Sequence, residues 1–223
     1  MNFLSHIAVV EPVGDRLVFA GAVLPDLLRH VGTGHHKMPA EGRAPSEDVA
    51  RVMQGIRYHV EADAFFHYCP WFAATLKEVQ AFMREEGNPL AEHWSRWLLP
   101  HLLIEIVIDA HLADIRPDLP KLLYGSLQEF AERDCCEAIA AQYKAKPSAL
   151  RDIIGILRRN RRPETYRSVP GVADAMRRVL ARDGREVLPV EDEHHLTAPL
   201  HWLKQRVGAP PDIIQVVREG IGL

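Results

Sequence analysis

Cysteine is scarce in this sequence of 223 residues. The three cysteines are Cys69 and the adjacent pair Cys135 and Cys136, which form neither an even disulfide framework nor a CxxC zinc spacing. This pattern argues against a disulfide-stapled secreted domain and against a cysteine-based zinc finger. We therefore expect reduced thiols and a cytoplasmic protein.

The sequence also lacks an excess of charge of either sign and any long hydrophobic run. Lys and Arg number 27 and Asp and Glu number 30, a formal net charge of -3, which gives no general attraction for nucleic acid or anionic lipid. No apolar run approaches the ~18 residues of a membrane span. The opening MNFLSHIAVV lacks the basic residues of a signal peptide. We therefore predict no nucleic-acid or membrane partner.

Common nucleotide-binding and hydrolase motifs are absent as well. The sequence contains no GxxxxGK, GxGxxG, HExxH or GxSxG pattern, so P-loop, dinucleotide-binding, zincin and α/β-hydrolase interpretations lose their usual support. Histidine, in contrast, is abundant, with 12 residues. That number favours metal or acid-base chemistry without deciding between them.

Hydrophobic periodicity close to that of a helix dominates the chain. A hydrophobic content of 47% suffices for one core, and strand-like alternation is scarce. We therefore predict an all-α fold, a single-domain helical bundle over residues 1 to 223. Helices are expected over residues 17 to 30 with an interruption near Pro25, 46 to 68, 71 to 86, 89 to 115, 120 to 144, 148 to 159, 170 to 182, 189 to 206 and 211 to 219.

The segment PHLLIEIVIDAHL, residues 100 to 112, is apolar on every side yet carries His101, Glu105 and Asp109 at intervals of four. A helix turns about 100° and rises about 1.5 Å per residue, so neighbours in this set share a face while its ends lie about 12 Å apart. Adjacent members can therefore bind one metal ion, but all three together cannot. The alternative is that each buried acid pairs with an arginine from another helix.

The segment GIRYHVEADAFFHYCP, residues 55 to 70, repeats this spacing with His59, Asp63 and His67. On a helical wheel Asp63 and His67 fall within the apolar sector, and His59 lies at its edge. Imidazole and carboxylate suit zinc, manganese and iron, so this inward-facing set predicts a metal or catalytic site. The alternative is a set of core residues with satisfied hydrogen bonds.

Three further features leave two interpretations each. Asp26, which follows Pro25 in an apolar segment, is either a helix-capping residue or another ligand of the same site. His6 is either a core residue or a ligand. The basic segment RRNRRPETYR, residues 158 to 167, is either a solvated helix end or a docking surface for an acidic partner or a phosphate.

These motifs resemble, in order and spacing, those of the acyl carrier protein phosphodiesterase family, a divergent branch of the HD-domain metal-dependent phosphohydrolases. The resemblance rests on MNFLSH, GAVLPDLL, GIRYHVEADAFF and IVIDAHL, within residues 1 to 130. It implies an HD-domain-like helical fold and hydrolysis of the phosphodiester that joins 4'-phosphopantetheine to a serine of acyl carrier protein. It also implies a divalent cation such as Mn2+, with Fe2+, Mg2+ and Zn2+ as alternatives.

Carried over by position, the resemblance implies site residues at Asp26, His59, Asp63 and Asp109. His67 stands where the family has an aspartate, a change that keeps a metal ligand and alters its charge. The family's later helix carries an Asp-His pair, which is Asp109 followed by alanine here. His101 and Glu105 are available to compensate for the missing histidine.

The leading hypothesis from the sequence is a metal-dependent phosphoesterase with one or two cations. Glu105 and His101 would orient ligands or take the proton of the attacking water. The predicted metal ligands are Asp26, His59, Asp63, His67 and Asp109.

The rival hypothesis is a non-catalytic helical binding or scaffold protein. In that case the buried acids form a salt-bridge network with arginines such as Arg29 or Arg57. Convergence of the two polar stripes within about 5 Å of one point, with no cationic side chain there, would favour the metal. Guanidinium groups at that point would contradict the enzyme hypothesis.

Overall fold

The computed structural model describes residues 1 to 31, 44 to 90, 98 to 182, 184, 189 to 208 and 212 to 223. Regular secondary structure in these ranges is helical throughout, which confirms the predicted all-α class. The α-helices are α1 (Phe3–Val10), α2 (Arg16–Leu28), α3 (Glu47–Tyr68), α4 (Pro70–Glu85), α5 (Leu98–Ile115), α6 (Leu119–Glu132), α7 (Cys135–Gln142), α8 (Pro147–Asn160), α9 (Arg162–Thr165), α10 (Val169–Arg182), α11 (Thr197–Val207) and α12 (Ile213–Gly220).

Most predicted helices are present, and several have different boundaries. The predicted helix over residues 120 to 144 is two helices, α6 and α7, because the backbone at Arg133 is extended. The predicted interruption near Pro25 is wrong, since α2 continues through Pro25 to Leu28. Almost all of α2 is buried, and this packing stabilises the helix despite the missing proline amide. Parts of two other predicted helices, residues 91 to 97 of one and residue 211 of the other, lie outside the described residues.

Helices α2 and α3 cross in backbone contact at two glycines. A Cβ atom on Gly21 would lie 2.1 Å from the carbonyl oxygen of Val52, and one on Gly55 would lie 2.0 Å from a carbonyl oxygen of α2. Both distances are far below van der Waals contact, so a side chain at either position would force the helices apart. The crossing brings the carbonyl oxygen of Ala22 within 2.8 Å of a ring nitrogen of His59, one turn beyond Gly55.

Helix α1 is held at both ends by distant parts of the chain. At its amino-terminal end, the amides of Leu4 and Ser5 donate to the carboxylate of Asp109 in α5, over 2.9 and 2.8 Å. At its carboxyl-terminal end, the guanidinium of Arg218 in α12 donates to the carbonyl oxygen of Ala8. Burial raises the pKa of Asp109 to about 7, and its hydrogen bonds from Leu4 and Ser5 oppose this shift. The positive Arg218 at the last turn stabilises the helix dipole. These contacts fix α1 against α5 and α12.

Helix α5 is the most deeply buried of the longer helices that line the site. Its buried residues include His101 and Asp109 together with an apolar surround, which confirms that the segment from 100 to 112 is a buried helix. Among the described residues, no helix combines the length and the hydropathy of a membrane span.

Candidate metal centre

Two groups of histidine and acidic side chains lie where α1, α3 and α5 face one another. Within each group, one potential ligand atom per residue lies within 4.8 Å of the others, which is close enough for one ion to bind all three. The first group consists of His6, His59 and Asp63, and the second of His67, His101 and Glu105. The polar stripes on α3 and α5 therefore meet the geometric requirement for metal binding.

The first group joins α1 to α3 through the carboxylate of Asp63. His6 Nε2 lies 3.3 Å from Asp63 Oδ1, and His59 Nε2 lies 3.4 Å from Asp63 Oδ2. His59 Nδ1 lies 2.8 Å from the carbonyl oxygen of Ala22. Because a carbonyl oxygen only accepts, Nδ1 carries the ring hydrogen and donates a hydrogen bond to this oxygen. The lone pair of Nε2 then faces Asp63, as in histidines that bind metals and are oriented by a backbone carbonyl.

The His6 ring is buried and electrically neutral. Burial and the adjacent ring of His59 lower the pKa of His6 to about 4, although Asp63 opposes this shift. The two rings stack with centroids 3.9 Å apart. Neither ring nitrogen of His6 makes a hydrogen bond to a described residue, which is unusual for a buried polar atom. Neutral imidazole is the form that binds a metal ion.

The second group joins α3 to α5 through the carboxylate of Glu105. His101 Nε2 lies 2.8 Å and His67 Nε2 lies 3.1 Å from the same oxygen, Glu105 Oε1. Burial raises the pKa of Glu105, but the Met1 ammonium and the two histidines outweigh it and hold this pKa well below its usual range. Glu105 is therefore an ionised carboxylate with two imidazoles beside it.

The ammonium of Met1 connects the two ligand groups. The backbone ammonium of Met1 donates to Asp63 Oδ1 over 2.7 Å and to Glu105 Oε1 over 2.9 Å. Burial lowers the pKa of this amine, and the two carboxylates outweigh burial and raise it to about 11. Asp63 and Glu105 are therefore close enough to share one cation, and their negative charges require a positive group between them.

Asp26 lies at the edge of the same centre. Its Oδ2 atom is buried and makes no hydrogen bond to a described residue. Burial raises the pKa of Asp26 to about 6, and the nearby charge of Asp63 adds to the shift. Asp26 does not cap a helix, because it lies in the last turn of α2. It belongs to neither ligand group, so its role as a ligand stays a prediction that the unpartnered oxygen supports.

Asp109, which was predicted to bind metal, has a structural role instead. It is fully buried and belongs to neither group. Both of its oxygens accept hydrogen bonds from α1, including one from the hydroxyl of Ser5 over 2.8 Å. Because all of these donors belong to the first turn of α1, Asp109 anchors the helix that carries His6.

His101 and Glu105, which were predicted to orient ligands or move a proton, lie among the potential ligands themselves. His6 joins the first group although its spacing in the sequence gave no indication of a role. The opening MNFLSH, one of the motifs behind the family resemblance, was the signal that could have found it.

The arginines that the salt-bridge hypothesis requires do not reach the central acids. In the described part of the chain, the ion pairs of Asp63 and Glu105 involve histidines and the Met1 amine. Arg57 is exposed on α3. Arg29 forms no ion pair with a described acid, although its charge acts on Asp26. No guanidinium group of a described residue pairs with these two acids, but the Met1 ammonium lies between them, so the geometry does not by itself decide between the two hypotheses.

Comparison of the chain with family models, curated proteins and solved structures gave no match. The HD-domain-like detail of the fold therefore stays a prediction. The functional argument rests on the geometry of the two groups.

Proposed function

We propose that the protein is a metal-dependent phosphoesterase whose centre holds two divalent cations, one in each group. The observation that carries the proposal is the convergence of the groups. Asp63 of the first group and Glu105 of the second group both accept a hydrogen bond from the Met1 ammonium. Paired cations a few ångströms apart are a recurrent device for phosphate-ester hydrolysis.

The donor atoms suit a transition metal. His6, His59 and Asp63 would hold the first cation, and the unpartnered oxygen of Asp26 would add a fourth ligand. Imidazole ligands favour Fe2+ or Zn2+, the carboxylates also suit Mn2+, and Mg2+ prefers oxygen ligands throughout. We propose Mn2+ because the family resemblance implies it. The second cation would be held by His67, His101 and Glu105.

When bound, such cations polarise a phosphoryl oxygen and lower the pKa of a water molecule. The chain's own residues prepare the centre for this chemistry. The carbonyl of Ala22 fixes the tautomer of His59, and the ionised Glu105 orients the rings of His67 and His101. His59 and His101 are buried, and His67 and Glu105 are partly buried, which limits the access of bulk water and strengthens their electrostatic interactions.

The proposed substrate is the phosphodiester between 4'-phosphopantetheine and a serine of acyl carrier protein. This choice rests on the family resemblance of the motifs in residues 1 to 130, and the metal centre supports only the wider class of phosphoesters. Acyl carrier protein is accordingly the proposed partner.

Metal analysis and hydrolysis assays test the proposal together. The purified protein is loaded with Mn2+, its metal content is measured by mass spectrometry, and hydrolysis of bis-p-nitrophenyl phosphate and of holo acyl carrier protein is followed. Asp63→Asn and His67→Gln should each reduce metal content and lower the rate at least about 100-fold. Asp152→Asn, an exposed site on α8, is the matched control and should retain both properties.

A wild-type protein without bound metal, without activation by added cations and without turnover would overturn the proposal. The second candidate, a non-catalytic helical binding protein, would then stand. One observation favours that candidate: the Met1 ammonium already neutralises Asp63 and Glu105 in part. It predicts a metal-free protein in which Asp63→Asn destabilises the fold.

A further inference from the structure

A small cavity adjoins the candidate metal centre and is lined by groups of both charges. Its volume is about 110 Å³, well below the several hundred Å³ of a site for a large organic ligand. Met1, Asp26 and Glu105 line it beside the metal centre, and its lining also includes Arg29, Arg162, Arg178 and Tyr166.

The basic segment at residues 158 to 167 does not form one surface. Arg158 donates to Gln128, and Arg161 pairs with Glu164 on the exposed side of α9. Arg162, the next residue, lines the cavity instead. The docking surface suggested by the sequence is therefore divided, and one of its guanidinium groups belongs to the cavity wall.

Arg162 is partly buried, and part of its guanidinium has no hydrogen-bond partner. Its Nε atom is buried and makes no hydrogen bond to a described residue, and Asp174, whose charge acts on it, pairs directly with Arg178 instead. Burial and the like charge of Arg178 lower the pKa of the Arg162 guanidinium. A partly buried guanidinium beside a second one is unfavourable unless an anion binds there.

We propose that this cavity is the phosphate subsite of the centre, in which Arg162 and Arg178 bind the phosphoryl oxygens of the substrate. The inference rests on the proposed phosphoesterase function. Guanidinium groups bind phosphate oxygens through paired, charge-assisted hydrogen bonds. The carboxylates of Asp26 and Glu105 line the same cavity, and of these two only Glu105 pairs with the Met1 ammonium, so a bound divalent cation would reduce their repulsion of an anion. Phosphate and metal should therefore bind cooperatively.

Calorimetric titration with inorganic phosphate tests the subsite in the Mn2+-loaded protein and after chelation. Arg162→Gln should weaken phosphate binding at least about tenfold in the loaded protein, the loss expected for a charge-assisted hydrogen bond. The phosphate affinity of Arg162→Lys should lie between those of the wild type and Arg162→Gln. Arg161→Gln is the matched control, since it removes a neighbouring guanidinium that is exposed and already paired. Metal content should be unchanged in all three variants.

Two results would overturn the subsite. The first is equal phosphate affinity in Arg162→Gln and the wild type. The second is phosphate binding that depends on Mn2+ but has the same affinity in Arg162→Lys as in the wild type. This second test applies if Arg162→Gln does not fold. Either result leaves the metal centre intact. If the wild type binds no metal, the proposed function fails. Phosphate affinity that is still lower in Arg162→Gln than in the metal-free wild type would support the anion site independently.

Discussion

Glu105 and Asp109 lie one helical turn apart on the buried α5, yet their surroundings give them different tasks. Glu105 has two histidines at 2.8 and 3.1 Å, so its carboxylate belongs to the candidate metal centre. Among the described residues, the hydrogen bonds that Asp109 accepts come from the start of α1, so its carboxyl group serves as a helix cap. The residue type is similar in both cases, and the neighbouring helix decides the role.

Replacement of Asp109 should separate structure from metal binding. Asp109→Asn replaces one of two buried accepting oxygens with an NH2 group that cannot accept, and we expect the free energy of unfolding to fall by about 2 to 4 kcal/mol. Urea denaturation measures this change. The folded variant should still bind Mn2+ in the wild-type ratio, because Asp109 is outside both ligand groups.

Asp114→Asn is the control on the same helix, since Asp114 is exposed and its pairing with Arg167 should contribute less than about 1 kcal/mol. A folded Asp109→Asn protein that has lost its metal would contradict the capping role.

At the scale of helices, the site depends on the close crossing of α2 and α3. The contact between Gly21 and Gly55 determines how near the backbone of α2 comes to His59. The same crossing brings Asp26 on α2 toward Asp63 on α3, whose charge acts on it. Two glycines therefore determine which polar groups of α2 can join the centre.

Gly55→Ala should disrupt both packing and metal binding. The new Cβ atom would lie 2.0 Å from a backbone oxygen, and we expect a loss of at least about 3 kcal/mol in the free energy of unfolding, because backbone cannot yield as a flexible side chain can. Thermal unfolding and Mn2+ titration measure the two effects.

The matched control is Gly125→Ala within α6, where the nearest atom, a side-chain nitrogen of Arg16, lies 3.7 Å away. That change should be neutral or stabilising by about 1 kcal/mol. Equal thermal stability and equal Mn2+ affinity of Gly55→Ala and Gly125→Ala would show that α2 and α3 do not cross in tight contact.

At the scale of the whole molecule, the last helix completes a site built mainly from the first half of the chain. Arg218 of α12 donates to the end of α1 and also pairs with Glu11 over 3.3 Å. Because α1 carries His6, contacts more than 200 residues away in sequence hold one member of the first ligand group in place.

Arg218→Gln should therefore weaken metal binding without touching the centre. Loss of the charged hydrogen bonds to α1 should lower the free energy of unfolding by about 1 to 3 kcal/mol and reduce affinity for Mn2+. Arg206→Gln, which removes a surface pair with Glu78, is the control and should change neither quantity much. Unaltered Mn2+ affinity in a destabilised Arg218→Gln protein would show that α1 keeps its position without α12.

The sequence by itself determined the helical class, the burial of α5 and the inward spacing on α3 and α5. These properties depend on hydrophobic periodicity, which is local and can be read along the chain. The odd number of cysteines likewise agrees with three buried free thiols. The continuation of α2 through Pro25 was missed because tertiary packing outweighed the local signal.

Only the tertiary structure decided which polar groups meet. It placed His6 beside His59, separated Asp109 from Glu105, and turned Arg162 toward the cavity while Arg161 faces solvent. Each of these outcomes depends on how helices distant in sequence cross and on where a cap or a glycine contact fixes them. Helical spacing shows which residues share a face, but the angle and depth of helix packing determine what that face contacts.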